Sequence, residues 1–331
     1  MPGRSAVAVL AALAVTSCIA CSPTSSDSRE GGENHLPGIE RAAAPLDASL
    51  TVTDPQGHTV TLDGPPERIV CLSGLCDDLV VALGMTPVGT SNPDVLTNPA
   101  LLGEDDEKVP VIAGTFGSED VESIAALEPD LVIGLSGVHD GLAPTVERFA
   151  PLWLTEPATW QESVGYLRAL GALTGRVEEA VAEEERFRAK LADAAATTRR
   201  DGRSERTAVL VYGSVDAIGV DTTASLKGDL LRHLFRYPFP ARGSDAETAS
   251  NYSVEELLAK KPDVVFVYSL LFSDADRPLS EQLAGNPVWS RIPAVEKDAV
   301  HEMDPALWGK ARGTRGLAAV VEQALGAVPA A

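Results

Sequence analysis

One fifteen-residue unit occurs twice in this chain, and it constrains the fold more than any other feature. Residues 121–135 read V-E-S-I-A-A-L-E-P-D-L-V-I-G-L and residues 254–268 read V-E-E-L-L-A-K-K-P-D-V-V-F-V-Y, aligned without a gap and followed by Ser136 and Ser269. Each copy opens with apolar residues at three- and four-residue spacing, the period of a short helix, with Ser118 and Ser253 as candidate N-caps. Each helix must stop at Glu128 or Lys261, because a proline ring disfavours helical geometry in the residue before it. An aspartate and an unbroken aliphatic run follow. Such a run suits a strand covered on both faces, as in a parallel sheet flanked by helices. The expectation is an α/β protein of two related lobes, each with a parallel-type sheet.

The remaining segments fit around this frame. Residues 50–62 alternate apolar and polar side chains about Asp54-Pro55-Gln56-Gly57, a β-hairpin pattern. Residues 68–72 read as a strand and 77–83 as a helix closed by Gly84. Short strands are expected over 87–90, 109–113 and 151–154, and 207–212 opens the second lobe. A last strand falls at 299–302, before a C-terminal helix over 312–325. Residues 159–200 carry no proline and are dense in Ala, Leu, Glu and Arg, all good helix formers. Gly171 and Gly175 interrupt this stretch, leaving one or two helices open. From Arg176 onward the rise of about 1.5 Å per residue gives a rod of nearly 40 Å. A stiff rod anchored in both lobes limits closure more than a loop hinge would. The expected division is an N-terminal lobe over 47–157, an interdomain helix over 158–202 and a C-terminal lobe over 203–331.

The N-terminus has a different character. Arg4 precedes an apolar run over residues 6–15, too short to span a bilayer but suited to the core of a secretory signal peptide. Val15-Thr16-Ser17-Cys18-Ile19-Ala20-Cys21 then resembles a bacterial lipobox, with Cys18 as the lipidated residue and Cys21 the alternative. Residues 1–21 are thus read as a signal peptide with its lipobox. Residues 22–46, rich in Ser, Gly, Pro and charge, are read as a flexible tether. Lipid, tether and folded body together place the protein outside the cytosol, held to the outer face of the cytoplasmic membrane by its lipid alone.

Composition removes several function classes. The net charge is −21, from 27 Lys+Arg against 48 Asp+Glu, which argues against nucleic acid as a partner. Four cysteines in 331 residues do not make a disulfide-dense scaffold. There is no G-x-S-x-G elbow, no H-E-x-x-H and no phosphate loop, since Gly114-Thr115-Phe116-Gly117 lacks a following Lys. An exported hydrolase is therefore a weak alternative, and no catalytic residue is singled out. Direct metal binding is a second alternative, but the five histidines show no H-x-H or H-x3-H pair, so no metal ligand is assigned.

Taken in order, several strings carry a resemblance: T-D-P-Q-G-H-T-V-T-L, P-P-E-R-I-V-C-L-S, D-D-L-V-V-A-L-G-M-T-P-V-G, the two V-E-x-[IL] helices running into P-D strands, L-R-A-L-G-A-L-T-G-R and N-P-V-W-S-R-I-P-A-V-E. Over roughly residues 50–325 the chain resembles the substrate-binding lipoproteins of ABC importers, in the group with a long interdomain helix that serves iron–siderophore, haem, cobalamin and some metal uptake. The resemblance implies two Rossmann-like lobes, a ligand cleft between them and docking on a transmembrane permease. It implies a bound iron chelate, most simply a ferric siderophore, no intrinsic cofactor, no enzymatic step and a monomer. By motif alignment the acidic docking residues fall on Glu122 and Glu255.

Ligand contacts are expected from loops at the carboxyl ends of the strands, where open α/β sheets bind. Ser73, Phe116, His139, Trp153, Tyr212, Phe272 and Trp308 are the candidates. Aromatic faces there suit an iron chelate or macrocycle, and Tyr212 or His139 could serve as an axial ligand were it haem. Arg236, Arg242 and Arg312 are the candidate cations of the second lobe. A neutral or weakly charged chelate is as well accommodated as a strongly anionic one. Cys71 and Cys76 flank the first strand-to-helix turn, and a disulfide between them is left open.

Overall fold

The structure, a computed structural model, describes residue 36 and residues 38–103, 108–215, 217–240, 249–269 and 277–330. The expected signal peptide and lipobox, with Cys18 and Cys21, lie outside the described residues, as do Arg242 and Phe272.

An antiparallel hairpin comes first, β1 (Thr51–Thr53) paired with β2 (Thr59–Thr61) in the register Thr51 opposite Thr61. Next come β3 (Ile69–Cys71), α1 (Gly74–Ala82), β4 (Gly89–Thr90) and α2 (Pro93–Leu96). A two-strand turn, β5 (Gly114–Thr115) and β6 (Ser118–Glu119), precedes α3 (Val121–Ala125) and β7 (Leu131–Leu135). Then α4 (Ala143–Val146) leads to β8 (Leu152–Thr155). The four-stranded sheet runs β4-β3-β7-β8, all parallel, which places the topological switch between β3 and β7. Its first helix begins earlier than the periodicity predicts because Ser73 is its N-cap and accepts from the Cys76 amide.

The crossover is a helical hairpin. Helix α5 (Trp160–Thr174) ends at Gly175, whose φ of 71° lies in the left-handed region, and α6 (Val177–Arg200) returns alongside it. Gly175 is the true break. Gly171 stays inside α5, where a Cβ would come within 2.5 Å of the Ala180 Cβ, so it sets how closely the two helices approach. The hairpin is built into both lobes. Tyr166, Leu167, Leu170 and Ala180 join the first lobe's core, while Trp160, Phe187, Leu191 and Ala195 join the second's.

The second lobe follows with β9 (Ala208–Ser214), β10 (Ala217–Asp221), α7 (Leu226–Leu231), β11 (Ala249–Asn251), α8 (Val254–Lys260) and β12 (Val264–Ser269). After α9 (Leu279–Leu283) and α10 (Pro293–Glu296) come β13 (Val300–Glu302) and α11 (Thr314–Ala327). The five strands are ordered β11-β10-β9-β12-β13. β9, β12 and β13 are parallel, but β10 and β11 are antiparallel. The parallel-type core expected from the repeat is present, and an antiparallel pair is added at its edge. Ser214 pairs with Ala217, so the connection is a tight hairpin, and a hairpin can join only antiparallel strands.

The repeat is structural as well as sequential. Glu128 and Lys261, the residues before each proline, have φ values of 47° and 48°. Asp130 accepts from the Glu67 and Arg68 amides at 2.7 and 2.9 Å, and Asp263 accepts from the Thr207 amide at 3.0 Å. The amides of Asp130 and Asp263 in turn donate to Arg68 O and Thr207 O. The Pro-Asp corner therefore pins each repeat strand to the strand beside it, β7 to β3 and β12 to β9, in matching registers. The expected cap Ser118 is corrected to Asp120, which accepts from the Glu122 amide; Ser118 belongs to β6. Ser253 does cap α8, in a full capping box with Glu256.

Residues 38–46, expected as the last part of the tether, are held against the folded body. The Arg168 guanidinium donates to the carbonyls of Ala44 and Pro45, and Arg41 pairs with Asp193 at 2.5 Å. Residues 38–46 thus lie along the helical hairpin. Among the described residues no helix is long and apolar enough to cross a membrane.

Candidate functional site

The carboxyl ends of β9 and β12 present two tyrosines side by side. Tyr212 and Tyr268 are opposite one another in the parallel register, and their rings stack with centroids 5.0 Å apart and planes 5° off parallel. Space for the pair comes from the neighbouring strand. Gly219 on β10 is opposite Tyr212, and any Cβ there would run into the Tyr212 ring. Burial, together with the Asp221 carboxylate, holds both phenols above their ordinary range, Tyr212 at about 12. Both stay protonated at neutral pH and can donate.

The tyrosines line a cavity of about 270 Å³ together with Asp221, Ser225, Lys227, Trp308, Gly309 and Arg312. Glu156 and Pro157 close it from the crossover that leaves the first lobe. The site therefore lies where the chain passes between lobes. Lys227 is buried and donates to the Ala311 carbonyl. Burial pushes its pKa down, helped by Arg312, and pushes that of Asp221 up. Arg312 differs from both. It is half-buried, and its guanidinium makes no hydrogen bond or ion pair among the described residues. A permanently charged planar donor beside two phenols is a surface for oxygen-rich anions. A second cavity, about 520 Å³, lies at the amino ends of β9, β12 and β13, against Arg206, Asp263, Asp298 and His301. It faces away from the carboxyl ends where α/β sheets bind ligands.

The structure brings Tyr212 to the cavity and seats Trp308 in its floor, with Trp308 only 1% exposed and its indole donating to Gln323. Phe116 stands at the tip of the β5–β6 turn, 61% exposed. The other described candidates are corrected. His139 is fully buried, its Nδ1 accepting from the Leu135 amide and its Nε2 facing Glu119 at 3.2 Å, so neither nitrogen is free for a ligand or for haem iron. Trp153 is core, packed on Tyr166 and donating to Asp54 at 3.1 Å, which ties the β1–β2 hairpin to the sheet. Ser73 is buried as the α1 cap. Arg236 pairs with Glu205 on the exposed surface away from the cavity. Cys71 and Cys76 are joined in a buried disulfide with Cα atoms 5.2 Å apart.

Sequence reasoning missed Tyr268, Asp221 and Lys227. Tyr268 ends the repeat strand, so pairing that strand with the one carrying Tyr212 was the available signal. Glu122 and Glu255 occupy the same position in the two repeats, the second residue of α3 and of α8, and both are exposed. Among the described residues no cluster of three His, Cys, Asp or Glu is placed to hold a metal ion.

A family described as periplasmic binding protein matches residues 69–307. The Fe(3+)-citrate-binding protein YfmC of Bacillus subtilis is 24% identical over 273 residues, covering 81% of this chain and 82% of its own. The Fe(3+) dicitrate-binding periplasmic protein FecB of Escherichia coli is 26% identical over 269 residues, covering 80% and 85%. Among solved structures, the triscatecholate siderophore binding protein FeuA of Bacillus subtilis, complexed with ferri-bacillibactin, superposes with a TM-score of 0.68 at 18% identity, covering 83% of this chain and 96% of that one.

Proposed function

The chain belongs to the periplasmic binding protein family, and from that premise we propose that it is the extracytoplasmic solute-binding component of an ABC importer. Its ligand is an oxygen-rich, anionic ferric chelate of the citrate or siderophore class, captured between the lobes and passed on unchanged to a membrane permease. The observation that carries the ligand class is the Arg312 guanidinium, unpaired among the described residues, beside the stacked Tyr212–Tyr268 pair. Guanidinium and phenol are donors matched to carboxylate or catecholate oxygen. The relatives whose names specify ferric citrate and the fold relative bound to a ferric siderophore support the same class. With Arg312 in the cavity, an anionic chelate is favoured over the neutral one the sequence equally allowed.

The same reading divides the body into lobes over 47–157 and 203–331 joined by the helical crossover over 158–202. It anchors a monomer through lipid on Cys18 or Cys21 and gives Glu122 and Glu255 the docking role. The test is a fluorescence titration with ferric citrate, since Trp308 in the cavity floor is a built-in reporter. Saturable quenching with no conversion of the chelate is expected. Arg312→Gln should weaken binding by roughly 10- to 100-fold, the worth of one hydrogen bond to a charged group. Wild-type affinity in that variant, or turnover of the chelate, would overturn the assignment.

A further inference from the structure

Helix α11 starts without a cap of its own. Its N-cap is Gly313, which has no side chain to accept from the first-turn amides, although those amides need an acceptor. The acceptor comes from the other lobe. Asp78, in the middle of α1 and fully buried, accepts from the Arg315 amide at 3.1 Å and from the Gly316 amide at 2.6 Å. The glycine is what admits it, because a Cβ at position 313 would run into the Asp78 carboxyl group.

The residue just before this cap is Arg312. The segment carrying it is held at every step. Lys227 donates to the carbonyl of Ala311, and the Ser163 hydroxyl on α5 donates to the carbonyl of Arg312 at 2.7 Å. Lys310 pairs with Asp94 of the first lobe at 2.5 Å, and its carbonyl would lie 2.6 Å from a Cβ at Gly74. The backbone of the ligand-facing arginine is thus fixed from the first lobe, the crossover and the second lobe together.

We propose that Asp78 is a positioning residue for Arg312: by capping α11 from the opposite lobe it sets where the guanidinium meets the ligand. This rests on the site reading above, in which Arg312 contacts an anionic chelate. It makes the affinity of the second lobe's site depend on a carboxylate the ligand never touches. Asn at position 78 keeps the volume but turns an amide donor toward one of the two α11 amides, so the clamp fails while the core stays filled.

The test is a double-mutant cycle on the full chain with ferric citrate as probe. Asp78→Asn should weaken binding roughly tenfold by itself, and the Asp78→Asn/Arg312→Gln double variant should bind no more weakly than Arg312→Gln alone, within about twofold. Added salt should weaken the wild type, and both single variants should lose most of that dependence, a readout that general loosening of the fold would not move. If Asp78→Asn does not fold, Gly313→Ala, whose methyl displaces the carboxyl group from the α11 amides, carries the same cycle. Two losses that multiply, or an Asp78→Asn that binds as the wild type does, overturn the proposal while leaving the site reading intact. An Arg312→Gln that binds normally overturns both.

Discussion

His233 shows how a single side chain's partner decides its protonation. The Trp160 indole donates to its Nε2 at 3.1 Å, which requires that nitrogen to be unprotonated. Burial, with Arg232 and Arg199 nearby, lowers its pKa to about 4. Between that value and the ordinary histidine range the unfolded chain binds the extra proton and the folded one does not. Stability therefore rises with pH across this window and is lost as pH falls through it, by no more than about 3 kcal/mol. Gln at position 233 can still accept from Trp160 but has no proton to gain. Urea midpoints at pH 5 and pH 7 should differ less for His233→Gln than for the wild type; an equal difference would assign the acid sensitivity to other groups. The same partner logic decides which aromatic candidates reach the cavity and which are held in the core. His139, Trp153 and Trp308 were found in the right segments, but which face of a strand or turn a side chain takes follows from its hydrogen-bond partner, here Glu119, Asp54 and Gln323. Those partners are 20, 99 and 15 residues away, beyond the reach of any local pattern.

At the scale of elements the sequence was most legible where a residue type has a single physical use. The Pro-Asp corners were visible because proline ends a helix wherever it falls, and the strands after them because nothing but a two-sided cover explains such aliphatic runs. What the corners do was not visible, since it needs the neighbouring strand. Asp130 accepts from two amides and Asp263 from one. Asp130→Ala should accordingly cost about 1–2 kcal/mol and Asp263→Ala about half that, measured as shifts in urea midpoint at unchanged slope. Equal costs would mean that the corners act through the proline rather than through the aspartate. The antiparallel β9–β10 hairpin escaped detection for the opposite reason: Ser214, Val215 and Ala217 around its turn carry no glycine–asparagine signal of a tight hairpin. The crossover lay between these cases. Gly171 and Gly175 are alike in sequence, and only packing against Ala180 makes one an interior contact and the other a terminus.

Across the whole molecule, the duplication gives the two lobes one more shared feature that neither lobe uses internally. Glu122 and Glu255 are both exposed in the first turn of equivalent helices, where the helix dipole favours a carboxylate. Neither packs in the cores that hold the lobes together, so charge reversal there should leave folding and the cavity alone. A partner built from two matching halves is the natural reader of two matching charges, and such contacts govern encounter and register more than tightness. Replacing both with Arg should therefore stop iron-chelate uptake in cells while the purified protein binds ferric citrate within about twofold of normal, a difference well under one hydrogen bond's worth. Single replacements should give intermediate uptake, because each half of the contact survives alone. Collapse of affinity in solution would move these glutamates into the ligand site, and undiminished uptake would show that the permease reads some other face. Raising the ionic strength in reconstituted vesicles should slow transport by the wild type more than it weakens binding, since exposed charges are screened within about 10 Å.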